Sequence, residues 1–233
     1  MDIRILDFVD GARAARGLAV IIDVFRAFSV ACYACAGGAA RVIPVGEIAE
    51  ALRLKSEHEG YLIAGERHAR KLEGFDFGNS PTEIERADLV GKTLVHTTHA
   101  GTQGLVNAVH ADEVLTGSLV NAAAIVRYIQ QHRPAVVSLV RMGHEARVRC
   151  EEDDLCAELL AARRRGESFD TSSVRERLRT APAAAKFFDP AATWAPARDF
   201  ELCTEVDRFD FVLRLRREET PAWLECIKIG HRA

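Results

Sequence analysis

The sequence predicts a three-layer α/β/α fold, with a largely parallel or mixed sheet and added C-terminal edge strands. Three observations carry this. Short, continuous apolar runs rich in β-branched residues recur over the first two thirds of the chain, as strands buried on both faces do. A helical pattern follows nearly every run, the alternation that builds parallel sheets. Polar clusters sit where run gives way to helix, and in open α/β sheets ligands bind at such strand ends.

Residues 18–24 (LAVIIDV) form the first run and predict a buried strand. Residues 26–36 are small and apolar, a helix that Gly37-Gly38 ends. Residues 41–45 (RVIPV) are a second strand and 47–58, rich in Ala, Leu and Glu, a helix; 61–64 (YLIA) is a third strand. Residues 92–97 (KTLVHT) are the fourth, followed by a helix at 101–109; 113–116 (EVLT) is the fifth, followed by a helix at 118–132. Residues 135–141 (AVVSLVR) are the sixth, followed by a helix at 151–165 with acids first and arginines last, the order the helix macrodipole favours. Beyond Gly166 the pattern changes. An Ala-Pro-rich stretch at 181–198 precedes strand-like 209–215 (FDFVLRL) and 223–229 (WLECIKI). The expected organisation is an α/β catalytic core at 1–166 and a smaller C-terminal segment at 167–233 packed on it.

An apolar fraction of 48% and a charged fraction of 28% suit a soluble globular protein. A net charge of −3 argues against nucleic acid and against an anionic membrane as bulk partners. No apolar run reaches membrane-spanning length, and the N-terminus lacks a signal-peptide plan, so a cytoplasmic location is expected. In that compartment the six cysteines read as reduced thiols in or near the core. Cys32-x-x-Cys35 has no second such pair, and the Cys35-x5-Arg41 spacing has helix before and strand after, the reverse of a phosphate-binding cysteine loop. Assembly into a homo-oligomer stays open.

The polar clusters carry the chemistry. Asp23 closes a strand and Arg26 follows it: a carboxylate there can hold Mg²⁺, and an Arg can grip phosphate or sulfonate in a fork. The plainer reading is a capping Asp with an ion-paired Arg. Thr97-Thr98-His99-Ala100-Gly101-Thr102 has the makings of an oxyanion cradle, or of a Thr-capped helix. Glu151-Glu152-Asp153-Asp154 opens a helix. Acids there favour the dipole, yet four in a row exceed what capping needs, so one or two would face a cation. His68, His96, His99 and His144 fall near strand ends as candidate acids or bases, although loop histidines without a role are commoner.

Taken together, Asp23-Val24-Phe25-Arg26-Ala27, Gly65-Glu66-Arg67, Gly74-Phe75-Asp76-Phe77-Gly78-Asn79-Ser80-Pro81 and Thr97-Thr98-His99-Ala100-Gly101-Thr102 resemble the 2-phosphosulfolactate phosphatase family over roughly residues 18–165. Gly117-Ser118-Leu119-Val120-Asn121-Ala122 and Glu152-Asp153 also fit the pattern. The resemblance implies a Mg²⁺-dependent phosphatase that releases phosphate from 2-phospho-3-sulfolactate, a step that serves coenzyme M biosynthesis in some organisms. The chain departs from the family pattern at Ala100, where the family usually has Asn.

The expected enzyme acts on a small, doubly anionic phosphoester. Asp23 with Glu152 or Asp153 would hold Mg²⁺. Asp23 and Glu66 are the catalytic candidates, with Asp76 a weaker acid or base. Arg26 and Arg67 would neutralise phosphate and sulfonate, while Asn79, Ser80, Thr98, Gly101 and Thr102 would position oxygens. The alternatives are a non-catalytic binder of a small anionic metabolite, which Ala100 keeps open, and a phosphatase with a shifted substrate.

Overall fold

The computed structural model describes residues 1–230. Its elements are β1 (Asp2–Asp7), α1 (Phe8–Ala14), β2 (Leu18–Ile22), α2 (Ala27–Ala36), β3 (Arg41–Pro44), α3 (Ile48–Glu57), β4 (Leu62–Arg67) and β5 (Arg70–Lys71). There follow α4 (Pro81–Glu85), β6 (Thr93–Thr97), α5 (Gly101–Asn107), β7 (Glu113–Gly117), α6 (Ala122–His132), β8 (Val136–Arg141) and α7 (Glu151–Arg165). The chain ends with α8 (Val174–Arg179), a 3-10 helix at Pro182–Phe187, α9 (Ala197–Cys203), β9 (Phe211–Arg216) and β10 (Trp223–Lys228).

The α/β class holds. All ten strands join one mixed sheet in the order β1-β8-β2-β7-β9-β10-β3-β6-β4-β5. Strand β2 shows why it has a layer on each face. Its Leu18, Val20 and Ile22 pack with Ile125 and Ile129 of α6 and Leu155 and Leu159 of α7. Its Ala19 and Ile21 pack with Ala12 of α1, Phe28 of α2 and Leu105 of α5. A strand buried on both sides has no polar alternation to show, which is why its sequence is a continuous apolar run.

The C-terminal strands are present, but they lie in the middle of the sheet rather than at its edge. Strand β9 is antiparallel to β7, β10 to β9, and β3 to β10. The hairpin therefore joins two parallel groups, β1-β8-β2-β7 and β3-β6-β4, that run in opposite senses. Its charges suggest an edge but serve cross-strand pairing: Arg214 of β9 bonds Glu225 of β10 at 2.6 Å and Glu113 of β7 at 3.2 Å. Residues after 166 fill both cores, Leu178, Phe187 and Phe200 in one and Leu213 and Leu224 in the other. Of the two edge strands, β1 is half-exposed and mixes charge with apolar residues, so it leaves no apolar run in the sequence.

The cysteines differ from the expectation in one respect. Cys35, at the end of α2, is joined to Cys226 of β10 by a disulfide, with Cα atoms 6.6 Å apart. The other four are free thiols. The pairing is invisible in the sequence because 191 residues separate the partners, and only the hairpin's central position brings them together.

Candidate active site

The carboxyl ends of the two opposed strand groups meet in one pocket. Asp23 enters it from the end of β2, Glu66 from β4, His99 and Ala100 from the loop after β6, and Gly143, His144 and Glu145 from the loop after β8. Glu152 and Asp153 come from the first turn of α7, Asn79 from the loop before α4, and Lys186 from the 3-10 helix. The two groups close on each other at Gly101. A β-carbon there would lie 2.8 Å from Asp23 Oδ2 and 2.8 Å from the Ala27 β-carbon, so only glycine lets the β6–α5 turn approach Asp23.

Asp23 is 8% exposed, and the Ala27 amide donates to its Oδ1 at 3.1 Å. Burial, with the Glu66 charge adding to it, pushes its carboxyl up to about 6, while the Ala27 amide and Lys186 oppose the shift. Burial likewise pushes Glu152 up to about 7, with Asp23 beside it and Lys186 opposing. Glu152 Oε2 is buried and accepts no hydrogen bond. Asp153 is raised well above the carboxylate range by burial and by the charges of Glu152 and Asp23. Its two oxygens brace the site, Oδ1 accepting from Val24 N at 2.9 Å and Oδ2 from Gly143 N at 2.8 Å. Glu66 does the same on the other side, accepting from His99 N at 2.8 Å and Ala69 N at 2.7 Å.

The remaining sequence-derived residues fall into two groups. Asn79 lines the pocket and shares a hydrogen bond with buried His96 at 3.2 Å. Burial lowers His96 to about 4, so its ring is neutral. Arg26 also lines the pocket, but it gives Nη1 to Asp199 at 2.7 Å and to Trp194 O at 2.9 Å, and Nη2 to Ala69 O at 3.1 Å. Ser80 donates to the other oxygen of Asp199 at 2.7 Å. Arg67 reaches Glu66 O, Gly46 O and Thr97 Oγ1. Thr98 and Thr102 bond each other, backbone amide to hydroxyl in both directions. Asp76 pairs with Lys55 at 2.7 Å and accepts from Ile63 N at 2.8 Å, which pins the Gly74–Pro81 loop to β4. In this geometry these groups hold the loops that carry the acids.

Sequence reasoning missed Lys186 and Asp199. Lys186 stands in the Ala-Pro-rich stretch that reads as cover. Among the described residues it has no carboxylate within ion-pair distance, and burial and the nearby Arg26 charge lower its ammonium. Asp199 is wholly buried and collects Arg26, Ser80 and the Thr82 amide, yet nothing around it in the sequence marks it.

The pattern of residues at the strand ends is matched by a family model. The model described as 2-phosphosulpholactate phosphatase matches residues 5–218. The chain belongs to that family. Its curated relatives include a probable 2-phosphosulfolactate phosphatase of Caldanaerobacter subterraneus subsp. tengcongensis, 35% identical over 84% of this chain and 87% of the relative. Proteins of the same name from Thermotoga petrophila (39% identical over 68% of each chain) and Bacillus subtilis (28% identical over 85% of this chain and 87% of the relative) are also similar. The family is one of phosphoric monoester hydrolases. The described residues include no helix long and apolar enough to cross a membrane.

The raised carboxyls fix a pH dependence for the metal-free protein. Burial pushes Glu152 up to about 7 from its ordinary 4.5, and Asp23 up to about 6 from its ordinary 3.8. The folded state binds more protons in between, so their contribution is fully present below the unfolded values and is lost as pH rises through the folded ones. His96 acts oppositely, but only between about 4 and its ordinary 6.5. Above pH 6.5 Glu152 therefore dominates. Thermal denaturation in EDTA is expected to show a Tm lower at pH 8 than at pH 6.5 by about 2–4 °C, a loss of about 1 kcal/mol. A Tm that stays level or rises over that interval contradicts the burial of these acids.

Proposed function

We propose that this chain is a Mg²⁺-dependent phosphatase that releases phosphate from 2-phospho-3-sulfolactate or a close sulfonated or carboxylated analogue. One observation supports the metal. The pocket is lined by five carboxylates (Asp23, Glu66, Glu145, Glu152, Asp153) against Arg26, already neutralised by Asp199, and Lys186. An anionic ester will not enter such a site unaided. A hard divalent cation reverses the field and gives the unpartnered Glu152 Oε2 a ligand.

The donor set fits Mg²⁺: carboxylate oxygens from Asp23, Glu152 and the free lone pairs of Asp153. When bound, the ion supplies charge neutralisation on the phosphoryl oxygens and a lowered pKa for attacking water. The protein's own groups do the rest. Asp23 and Glu152 would hold the cation, whose charge would offset the burial that raises both carboxyls. Glu66 and Asp153 fix the four backbone positions that surround the ester. Lys186 presents its ammonium to the phosphate or sulfonate.

Lys186→Ala is expected to lower kcat/KM about 10–100-fold, as loss of a charged hydrogen bond does, with Lys186→Arg recovering part of it. Steady-state kinetics check this, and an unchanged kcat/KM removes Lys186 from the site. Ala100 is 6% exposed and lines the pocket at the position where the family resemblance expects Asn. Ala100→Asn is expected to raise kcat/KM on 2-phospho-3-sulfolactate about tenfold by restoring one polar partner. No change on any phosphoester would mean that this position does not reach substrate.

Phosphate release from a panel of small phosphoesters, with Mg²⁺ and with EDTA, tests the reading. The expected result is Mg²⁺-dependent release, fastest from esters carrying a second acid group. Tight binding of such esters without turnover would favour the non-catalytic alternative.

A further inference from the structure

A second cluster of donors stands at the mouth of the pocket. His68 follows β4, His99 follows β6, and Glu145 lies in the loop after β8, so three separate loops supply it. One donor atom from each falls within 4.8 Å of the other two. His68 Nδ1 is 2.6 Å from Glu145 Oε1, and His99 Nδ1 is 3.9 Å from the same oxygen. The two rings meet edge to face, with centroids 5.2 Å apart. His99 Nδ1 is shielded from solvent and has no hydrogen-bond partner. His144 Nε2, 4.0 Å from Glu145 Oε1, stands by as a fourth donor.

We infer that His68, His99 and Glu145 form a second divalent-metal site, suited to zinc or a similar transition ion rather than to magnesium. Two imidazoles and one carboxylate are the donors such ions take, whereas Mg²⁺ prefers oxygen alone. The cluster therefore differs in chemistry from the all-oxygen set at Asp23 and Glu152. Three protein ligands leave positions open, as in catalytic rather than structural zinc sites. An ion placed there gives the orphaned His99 nitrogen its partner; the 2.6 Å His68–Glu145 pair opens to admit it and His99 moves in. His99 and Glu145 also line the pocket, which sets the cluster at its edge. The use of the open positions, to hold the second acid group of a substrate, rests on the proposed function; the site itself does not. Without metal, the direct hydrogen bond in the cluster is the one between His68 and Glu145.

Metal binding measured without substrate separates these cases. The metal-free full-length protein is first saturated with Mg²⁺ and then titrated with Co²⁺, whose visible d–d bands report imidazole ligation. Zn²⁺ calorimetry runs in parallel. The expected result is one Co²⁺ or Zn²⁺ bound in excess Mg²⁺, weakened about tenfold or more by His68→Ala and by Glu145→Ala, since a direct ligand counts for at least as much as an outer-shell one. His68 is largely exposed, so its removal leaves the fold intact. Asp23→Asn is expected to leave the Co²⁺ spectrum unchanged even where it abolishes turnover, which keeps the two metal sites distinguishable. No Co²⁺ or Zn²⁺ binding in Mg²⁺, binding indifferent to both His68→Ala and Glu145→Ala, or a spectrum lost in Asp23→Asn overturns the inference.

Discussion

Asp23→Asn is expected to lower turnover about 10³-fold at saturating Mg²⁺, a loss of several kcal/mol of charge stabilisation at the phosphoryl group. Asp23 sits where the two strand groups touch, 8% exposed, with Gly101 against one oxygen. Asn keeps the shape and one acceptor but removes the charge that a cation needs. The fold should not suffer. Burial already penalises the ionised carboxyl, so a neutral isostere is tolerated at least as well in the metal-free protein. Steady-state phosphate release and thermal denaturation of the same sample check both halves. Wild-type turnover in the variant would make Asp23 a structural cap.

Asp199→Ala is expected to destabilise the protein by about 3–5 kcal/mol, the cost of leaving a buried partner charge alone. Arg26 and Asp199 are 2% and 0% exposed at their side chains, and the same carboxylate also holds Ser80 and the Thr82 amide. Three segments far apart in sequence depend on it: the start of α2, the loop entering α4, and α9. A Tm lowered by about 10 °C follows. Replacing both charges with apolar residues, as in an Arg26→Met, Asp199→Leu double variant, should cost less than Asp199→Ala alone. Urea denaturation that places Asp199→Ala within about 1 kcal/mol of wild type would show that Arg26 finds another partner.

The α/β alternation was legible because strands buried on both faces leave continuous apolar runs, as at 18–24 and 135–141. Edge strand β1 was not, since half of it faces solvent. The central placement of β9 and β10 was also hidden. Their charged residues pair across strands, and local pattern cannot distinguish such pairs from solvent exposure. The acids were readable at the site: Asp23, Glu66, Glu152 and Asp153 all line one pocket. The arginines were harder. Arg26 and Arg67 stand in the motif as substrate-gripping cations would, yet the structure gives their N–H groups to protein acceptors. Lys186, a pocket cation with no carboxylate at ion-pair distance among the described residues, comes from a stretch with no motif. Its position depends on how residues after 166 fold back over the core, which periodicity does not encode.

The central claim is that Asp23 and Glu152 hold a divalent cation at the heart of the pocket. A crystal soaked with Mn²⁺, measured at wavelengths that isolate its anomalous signal, tests this most directly. A peak is expected about 2 Å from carboxylate oxygens of both residues, absent in Asp23→Asn. A protein that binds Mn²⁺ elsewhere, with no peak between Asp23 and Glu152, would contradict it.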